Sequence, residues 1–578
     1  MENFGNKVVY QVYPKSFMDA NGDGVGDLKG ITGQLDYLKE LGIDYLWITP
    51  VFPSPQRDNG YDVADYVSID PRFGTMEDME ELIAEGKKRG IGLMLDMVFN
   101  HTSTEHLWFK RALSGEKKYQ DYYIFKEGTP EKPPTNWQSK FGGSAWEYVP
   151  SLGKWYLHLF DVTQADLNWD NPEVRDELKK VILFWKGKGI ESFRFDVVNL
   201  ISKPEVFTDD NKGDGRRFYS DGPHVHEYLQ ELTRDTGIAG CVTVGEMSST
   251  SLKDCIAYSN PENQELSMCF NFHHLKVDYK DGDKWKLMEP DRMALKKLFE
   301  EWQIGMQEGN GWNALFWCNH DQPRIVSRFG DEGKYWKESA KMLAAAIHLM
   351  RGTPYIFQGE ELGMINPHFH DISQYRDVES LNYYRILQEQ GKTEEETLAV
   401  LAARSRDNSR TPMQWTDGKH AGFTEGTPWI ETGDKAGEIN AELQRGDEDS
   451  VYAFYQTLIA LRKEKEIIAK GSIAFIEKEN PDILGYKRMY GSEELVVLNN
   501  LTGKEVAVAA EDAWKDYRKI LGSYSGDVVK EDLGRGFGDI DGADMDKDSG
   551  NVDKENLTEA SDYIILRPYE TVVLDSGR

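Results

Sequence analysis

Residues 92–101, GLMLDMVFNH, are apolar almost without a break around Asp96 and end on Asn100 and His101. A strand with one wet face alternates and a strand covered on both faces does not, so this stretch reads as a parallel strand buried under helices. Working outward, runs of the same character recur at Val8–Pro14, Tyr45–Pro50, Ser192–Val198, Val242–Met247, Ser267–Phe272, Ala314–His320 and Thr353–Gln358. Most are followed by helical periodicity, as at Met76–Arg89. Eight β-then-α units within about 360 residues predict an α/β fold, a (β/α)8 TIM barrel.

The third and fourth runs lie further apart than one helix needs. The intervening chain is rich in Trp, Tyr, Gly and Pro, so 102–170 is expected as an inserted subdomain overhanging the strand ends, with the barrel taking 1–101 and 171–475. Beyond 475, short strand-like runs at Ile473–Ile476, Ile483–Lys487, Leu495–Asn499, Tyr563–Leu566 and Thr571–Leu574 predict a C-terminal antiparallel β-sandwich over 476–578. Inside it, Asp527–Asp562 holds 12 acidic and 4 basic residues and reads as a solvated loop. The run Asp539, Asp541, Asp544, Asp546, Asp548 in that loop has oxygen spacing that would suit Ca2+, against a plain acidic surface.

Composition sets limits on function. The 578 residues carry 68 Lys+Arg against 99 Asp+Glu, a net charge of −31, which argues against a duplex-DNA or anionic-membrane partner. With 39% hydrophobic residues and 15 Trp the chain is globular. The N-terminus lacks the basic-then-apolar pattern of a secretory leader and no stretch of 18 apolar residues occurs, so a soluble cytoplasmic protein is expected, and it is taken as a monomer, although no motif encodes its oligomeric state. Cys241, Cys255, Cys269 and Cys318 form no CxxC pair and are expected as reduced, mostly buried thiols.

Polar residues cluster where the predicted strands end, the face on which such barrels place their chemistry. Asp196 and Glu246 close adjacent strands, the arrangement that glycosidic cleavage by a nucleophile and a proton donor requires. Arg194, two residues before Asp196, shares its face and would keep that carboxylate ionised. The apolar approach to Glu246 in TVGEM would favour its protonated form. Asp321, after His320, supplies a third acid able to grip sugar hydroxyls.

These stretches, DMVFNH (96–101), QADLNW (164–169), FRFDVVN (193–199), VGEM (244–247) and NHDQPR (319–324), resemble in order and spacing the motif set of the α-amylase superfamily of retaining glycoside hydrolases. The resemblance implies Asp196 as nucleophile, Glu246 as general acid/base and Asp321 as transition-state stabiliser. It further implies that Tyr61, Asp62, His101, Phe160, Gln164, Arg194, Val197, His320 and Arg410 surround the nonreducing glucose. In DANGDGVGD, the oxygens of Asp19, Asn21, Asp23, Val25 and Asp27 fall at alternating positions, as in the first half of an EF-hand loop without its closing Glu. Spacing alone also admits a metal-free Asx-turn loop. Exo-acting members of the superfamily carry a similar loop, which favours a structural Ca2+, or Mg2+; no organic cofactor is expected.

Val197, directly after the nucleophile, resembles the branch acting on α-1,6 bonds or on a phosphorylated α,α-1,1-linked glucose disaccharide. DGPHVHEYLQE, TVGEMSSTS, NFHHLKVDYKDGDKW and GNGWNALFWCNHDQPR resemble the second group more closely. A phosphorylated substrate needs local cations in an acidic chain, and His273, Lys276, Lys284 and Arg324 are the candidates, against a solvated cationic face near His274 and Lys286. The competing expectations are an oligo-1,6-glucosidase, a transglucosylase or sugar isomerase, and a non-catalytic partner barrel. The last is disfavoured because all three acids are present and no membrane span is.

Overall fold

The computed structural model describes residues 4–524 and 563–577. Eight parallel strands, β1 (Val9–Val12), β2 (Tyr45–Ile48), β3 (Gly92–Met97), β4 (Ser192–Phe195), β5 (Val242–Glu246), β6 (Met268–Phe270), β7 (Ala314–Leu315) and β8 (Thr353–Phe357), lie side by side in chain order. β8 pairs back onto β1, and the one weak seam, β6 against β7, is joined by the parallel bridge Cys269–Asn313. The ring is therefore closed. Its strands are buried almost throughout, which is why their sequences do not alternate.

The helices follow from local chemistry. Met76–Arg89 starts at Thr75, whose hydroxyl accepts from the Asp78 amide while the Asp78 carboxylate accepts from the Thr75 amide, and it stops at Gly90 in a left-handed conformation (φ 75°). Met79, Leu82 and Gly86 form its buried face.

The seventh strand differs from expectation. Only Ala314–Leu315 pairs, and from Phe316 the chain leaves the sheet, with the Asn319 carboxamide accepting from the Asp321 amide in an Asx turn. The short strand places Asn319, His320 and Asp321 on a loop at the barrel mouth.

Within 102–170, Phe125–Glu127, Lys154–Leu157 and Trp146–Val149 form a small antiparallel sheet, and Gln164–Asp166 pairs with His101–Ser103 at the end of β3. Trp137, Trp146 and Leu157 share a core with Val197, Leu200 and Tyr219, so the insertion packs on the long connection after β4. At the C-terminus, Ser472–Ile476, Ile483–Tyr490, Glu493–Asn500, Thr571–Asp575 and Arg518–Gly522 form one antiparallel sheet, and Val506–Ala509 pairs with Tyr563–Leu566 in a second. Asp539, Asp541, Asp544, Asp546 and Asp548 lie outside the described residues. All four cysteines are free and buried. Among the described residues no helix is long and apolar enough to cross a membrane.

Candidate active site

β3 and β4 are in register with Asp96 opposite Arg194, so both side chains rise on the same face into the barrel. The Arg194 guanidinium, 1% exposed, donates through Nη1 to Asp96 Oδ1 and to Asp196 Oδ1, each at 2.6 Å, and its Nη2 contacts the Glu246 carboxylate. One planar cation thus joins the two end-of-strand acids. Adjacent nitrogens of one guanidinium hold the two carboxyls close together. The apolar surround expected for Glu246 is not what the fold provides, because the register that serves Asp196 also brings Arg194 against it. Tyr61 donates to Asp96 Oδ2 at 2.9 Å and Trp47 Nε1 donates to the same oxygen at 3.1 Å, fixing the carboxylate that orients Arg194.

Val197, after the nucleophile, has φ 35° and ψ 40°. A β-branched residue in the left-handed region costs about 1–3 kcal/mol, strain of the kind that concentrates at functional sites. It turns the chain sharply so that Asp196 faces the cleft.

Asp321 Oδ1 accepts from Arg410 at 2.7 Å and lies 3.4 Å from Arg406 and 3.6 Å from His320 Nε2. Burial pushes this carboxyl up, but nearby positive charge outweighs it and holds the group well below the usual carboxylate range. Burial also drives His320 down to about 3, so His320 is neutral at physiological pH and the lasting counter-charge is Arg406 and Arg410. The His320 ring lies parallel to Tyr61, at 5.0 Å and 3°, and to Tyr13, at 6.1 Å and 9°.

One cleft is lined by Tyr61, His101, Phe160, Asp196, Val197, Glu246, Lys276, Lys284 and Asp321, together with Asp58, Lys140, Phe141, Arg216, Ser248, Glu379 and Arg406. Arg194, Gln164, His320 and Arg410 lie just beneath it, buried. Gln164 Nε2 donates to Asp58 Oδ2 at 3.0 Å and meets His101 Nε2 at 3.1 Å, and Phe160 packs on His101 at 5.2 Å.

Three expected residues lie elsewhere. Asp62 is fully buried and spends its oxygens on Ser54 Oγ, the Arg57 amide and the Asp58 amide, so it staples its own loop and does not line the cleft. The cleft carboxylate from that loop is Asp58, which accepts from Arg406 at 2.9 Å. The two acids in DNGYD stand four positions apart, and only the turn decides which one faces inward. Arg324 is 1% exposed and ties the carbonyls of Gln358 and Ser409 together. His273 stacks on Trp302 at 4.9 Å with Nε2 at 2.9 Å from the Thr250 carbonyl, away from the cleft lining.

The cleft's cationic side is Lys140, Arg216 and Lys276. Burial, then repulsion from Arg216 and Lys276, pushes Lys140 down to about 7. Burial, then Arg216, lowers Lys276. Arg216 pairs with Asp214, whereas Lys276 and Lys140 have no carboxylate within ion-pair distance among the described residues. Lys284 instead pairs with Glu379 at 2.6 Å, and Lys286 with Asp281 and Asp283. Lys140 and Arg216 were not foreseen. The one sequence signal for Arg216 is the over-long connection after β4, and for Lys140 there is none.

In the Asp19–Asp27 loop each acidic side chain accepts backbone amides: Asp19 from Asn21, Gly22 and Gly24, Asp23 from Val25, Asp27 from Ala20, Asn21 and Gly30. Among the described residues no three His, Cys, Asp or Glu side chains converge as a metal cluster. The oxygen-only donor set, which includes Asn21 and the Val25 carbonyl, still fits a hard cation in kind.

The chain matches the alpha-amylase catalytic-domain family over residues 11–471. It is 55% identical over 516 residues to a trehalose-6-phosphate hydrolase of Bacillus subtilis, covering 88% of this chain and 92% of that one. Against an oligo-1,6-glucosidase of Parageobacillus thermoglucosidasius the identity is 46% over 535 residues, 91% and 95% of the two chains. The crystal structure of a trehalose-6-phosphate hydrolase of Bacillus licheniformis superposes with a TM-score of 0.89 at 52% identity, covering 99% of each chain.

Proposed function

The chain belongs to the alpha-amylase family of glycoside hydrolases, and from that premise we propose that it hydrolyses trehalose 6-phosphate to glucose and glucose 6-phosphate with retention. The identity to trehalose-6-phosphate hydrolases, higher than to oligo-1,6-glucosidases, supports this choice of substrate. The observation that carries it is the cluster of Lys140, Arg216 and Lys276, cations repelling one another beside the paired acids in a chain of net charge −31. Such a cluster is costly without an anion to fill it.

In the reading that follows, Asp196 attacks the anomeric carbon of the nonreducing glucose while Glu246 gives its proton to the glycosidic oxygen, releasing glucose 6-phosphate. Glu246, now a carboxylate, takes a proton from water as that water attacks the glucosyl ester, releasing glucose and restoring both acids. Asp321, kept ionised by Arg406 and Arg410, stabilises the oxocarbenium-like charge. Asp58, Arg406 and His101 hold the sugar hydroxyls, and Phe160 and Tyr61 offer apolar ring faces. The phosphate sits among Lys140, Arg216 and Lys276, with Ser248 as a neutral donor. Asp19, Asn21, Asp23, Val25 and Asp27 would hold one Ca2+, or Mg2+, that rigidifies their loop. The protein acts as a cytoplasmic monomer on a small sugar, without nucleic acid or membrane partners.

The test is a kinetic comparison of trehalose 6-phosphate, trehalose, isomaltose and p-nitrophenyl α-glucoside. Trehalose 6-phosphate should show the highest kcat/KM, and a more than tenfold preference for isomaltose would replace this reading with the oligo-1,6-glucosidase.

A further inference from the structure

Gln11 stands on β1, in register with Trp47 of β2 and Phe357 of β8, and is 1% exposed. An amide in that position is costly unless it is bonded. Its Nε2 meets His320 Nδ1 at 2.7 Å, a short hydrogen bond between side chains 309 positions apart. Tyr61 stacks nearly parallel on the imidazole at 5.0 Å and Tyr13 lies parallel to it at 6.1 Å, and the bond at Nδ1 fixes which ring edge meets Gln11. On the opposite side of the ring, Nε2 points at Asp321 Oδ1, 3.6 Å away.

We propose that Gln11 is a positioning residue: its amide donates to Nδ1 and so holds His320 as the Nε2–H tautomer, with that N–H turned toward Asp321 and the sugar above it. A carboxamide differs from the carboxylate often found behind a functional histidine. It fixes the tautomer without favouring the imidazolium. That choice suits a ring surrounded by charge: Asp321 on its own loop, Arg194 from β4, and Arg406 and Arg410 from the segment after β8. A neutral ring leaves Asp321 balanced by Arg406 and Arg410, with Lys284 further off, and its burial agrees with that state. The role in turnover rests on the glycosidase reading above. The tautomer does not.

Two measurements test it. In the 15N-imidazole spectrum of the intact wild-type protein, the His320 signal, assigned by its loss in His320→Asn, should show Nε2 protonated and Nδ1 bare from about pH 5 to about 8. The Nδ1–H tautomer, or an imidazolium in that range, would overturn the proposal whatever the substrate proves to be. In kinetics, Gln11→Leu should lower kcat by roughly tenfold or more with little change in KM. Gln11→Glu should introduce a new ionisation into the pH–rate profile as the carboxylate stabilises the charged ring. Wild-type kcat in Gln11→Leu, or equal losses in both variants with the wild-type pH profile, would reduce Gln11 to a packing role.

Discussion

Arg194 donates to Asp196 at 2.6 Å while the same guanidinium contacts Glu246, so the two acids that must act on opposite sides of one bond share a single buried cation. Replacing Arg194 with Leu leaves Asp96, Asp196 and Glu246 together without a counter-charge. Loss of about 3–5 kcal/mol of stability is expected, read as a lower urea midpoint. Arg194→Lys should retain the fold better yet lose kcat by at least about 100-fold, because a point charge cannot bridge carboxylates in a fixed plane. Unchanged kcat in Arg194→Lys would show that the bridging geometry is irrelevant.

Asp58 and Asp62 should separate cleanly. Asp62→Ala removes the acceptor for three donors and is expected to cost about 1–3 kcal/mol of stability. Asp58→Asn keeps an oxygen acceptor for Arg406, which also pairs with Asp377, so it should lower the thermal midpoint less than Asp62→Ala does while lowering kcat/KM, since this side chain lines the cleft. The reverse pattern in a paired Tm and kcat/KM measurement would return the sugar-binding role to Asp62.

Selectivity for the phosphate should follow position in the cleft. Lys276→Met is expected to reduce the kcat/KM ratio of trehalose 6-phosphate over trehalose by roughly 10- to 150-fold, the worth of one charge-assisted contact. His273→Gln and Arg324→Met should leave that ratio alone, Arg324→Met lowering stability instead. A selectivity loss confined to His273→Gln would move the anion site off the cleft.

The ratio should also depend on pH in a defined direction. Lys140, pushed down to about 7, loses its charge as pH rises through neutrality. The phosphate gains its second charge near about pH 6. Phosphate preference should therefore climb to a maximum between these values and fall above about 7, and the fall should vanish in Lys140→Met. A wild-type ratio that stays level to about pH 8.5 would exclude a lysine of this kind from the site.

If the Asp19–Asp27 loop binds a cation, chelation should lower the thermal midpoint and added Ca2+ restore it, stabilisation growing by about 1.4 kcal/mol per tenfold Ca2+ above Kd. Asp23→Ala should abolish the response while leaving Asp196, Glu246 and Asp321 in place. A midpoint indifferent to chelator would leave the loop as a metal-free set of Asx turns.

The eight strands and the three acids at the barrel mouth are legible because each rests on local pattern: unbroken apolar runs for burial on both faces, and polar residues where those runs stop. Two features were less legible for physical reasons. The seventh strand is shorter than its apolar run implies because LFWCNH is apolar for core packing, with only Ala314–Leu315 in the ladder. Asp58 and Asp62 are not told apart by sequence, because two acids four apart in a turn look alike until backbone amides claim one of them.

The sequence by itself determined the barrel, the insertion, the C-terminal sheets and the family, since hydrophobic period and motif order are properties of the chain alone. Only the tertiary structure decided which cations line the cleft. Lys140 comes from the insertion, Arg216 from the connection after β4 and Lys276 from the turn after β6. Local pattern cannot show that three such segments converge, because their meeting is set by how the insertion packs over the closed ring.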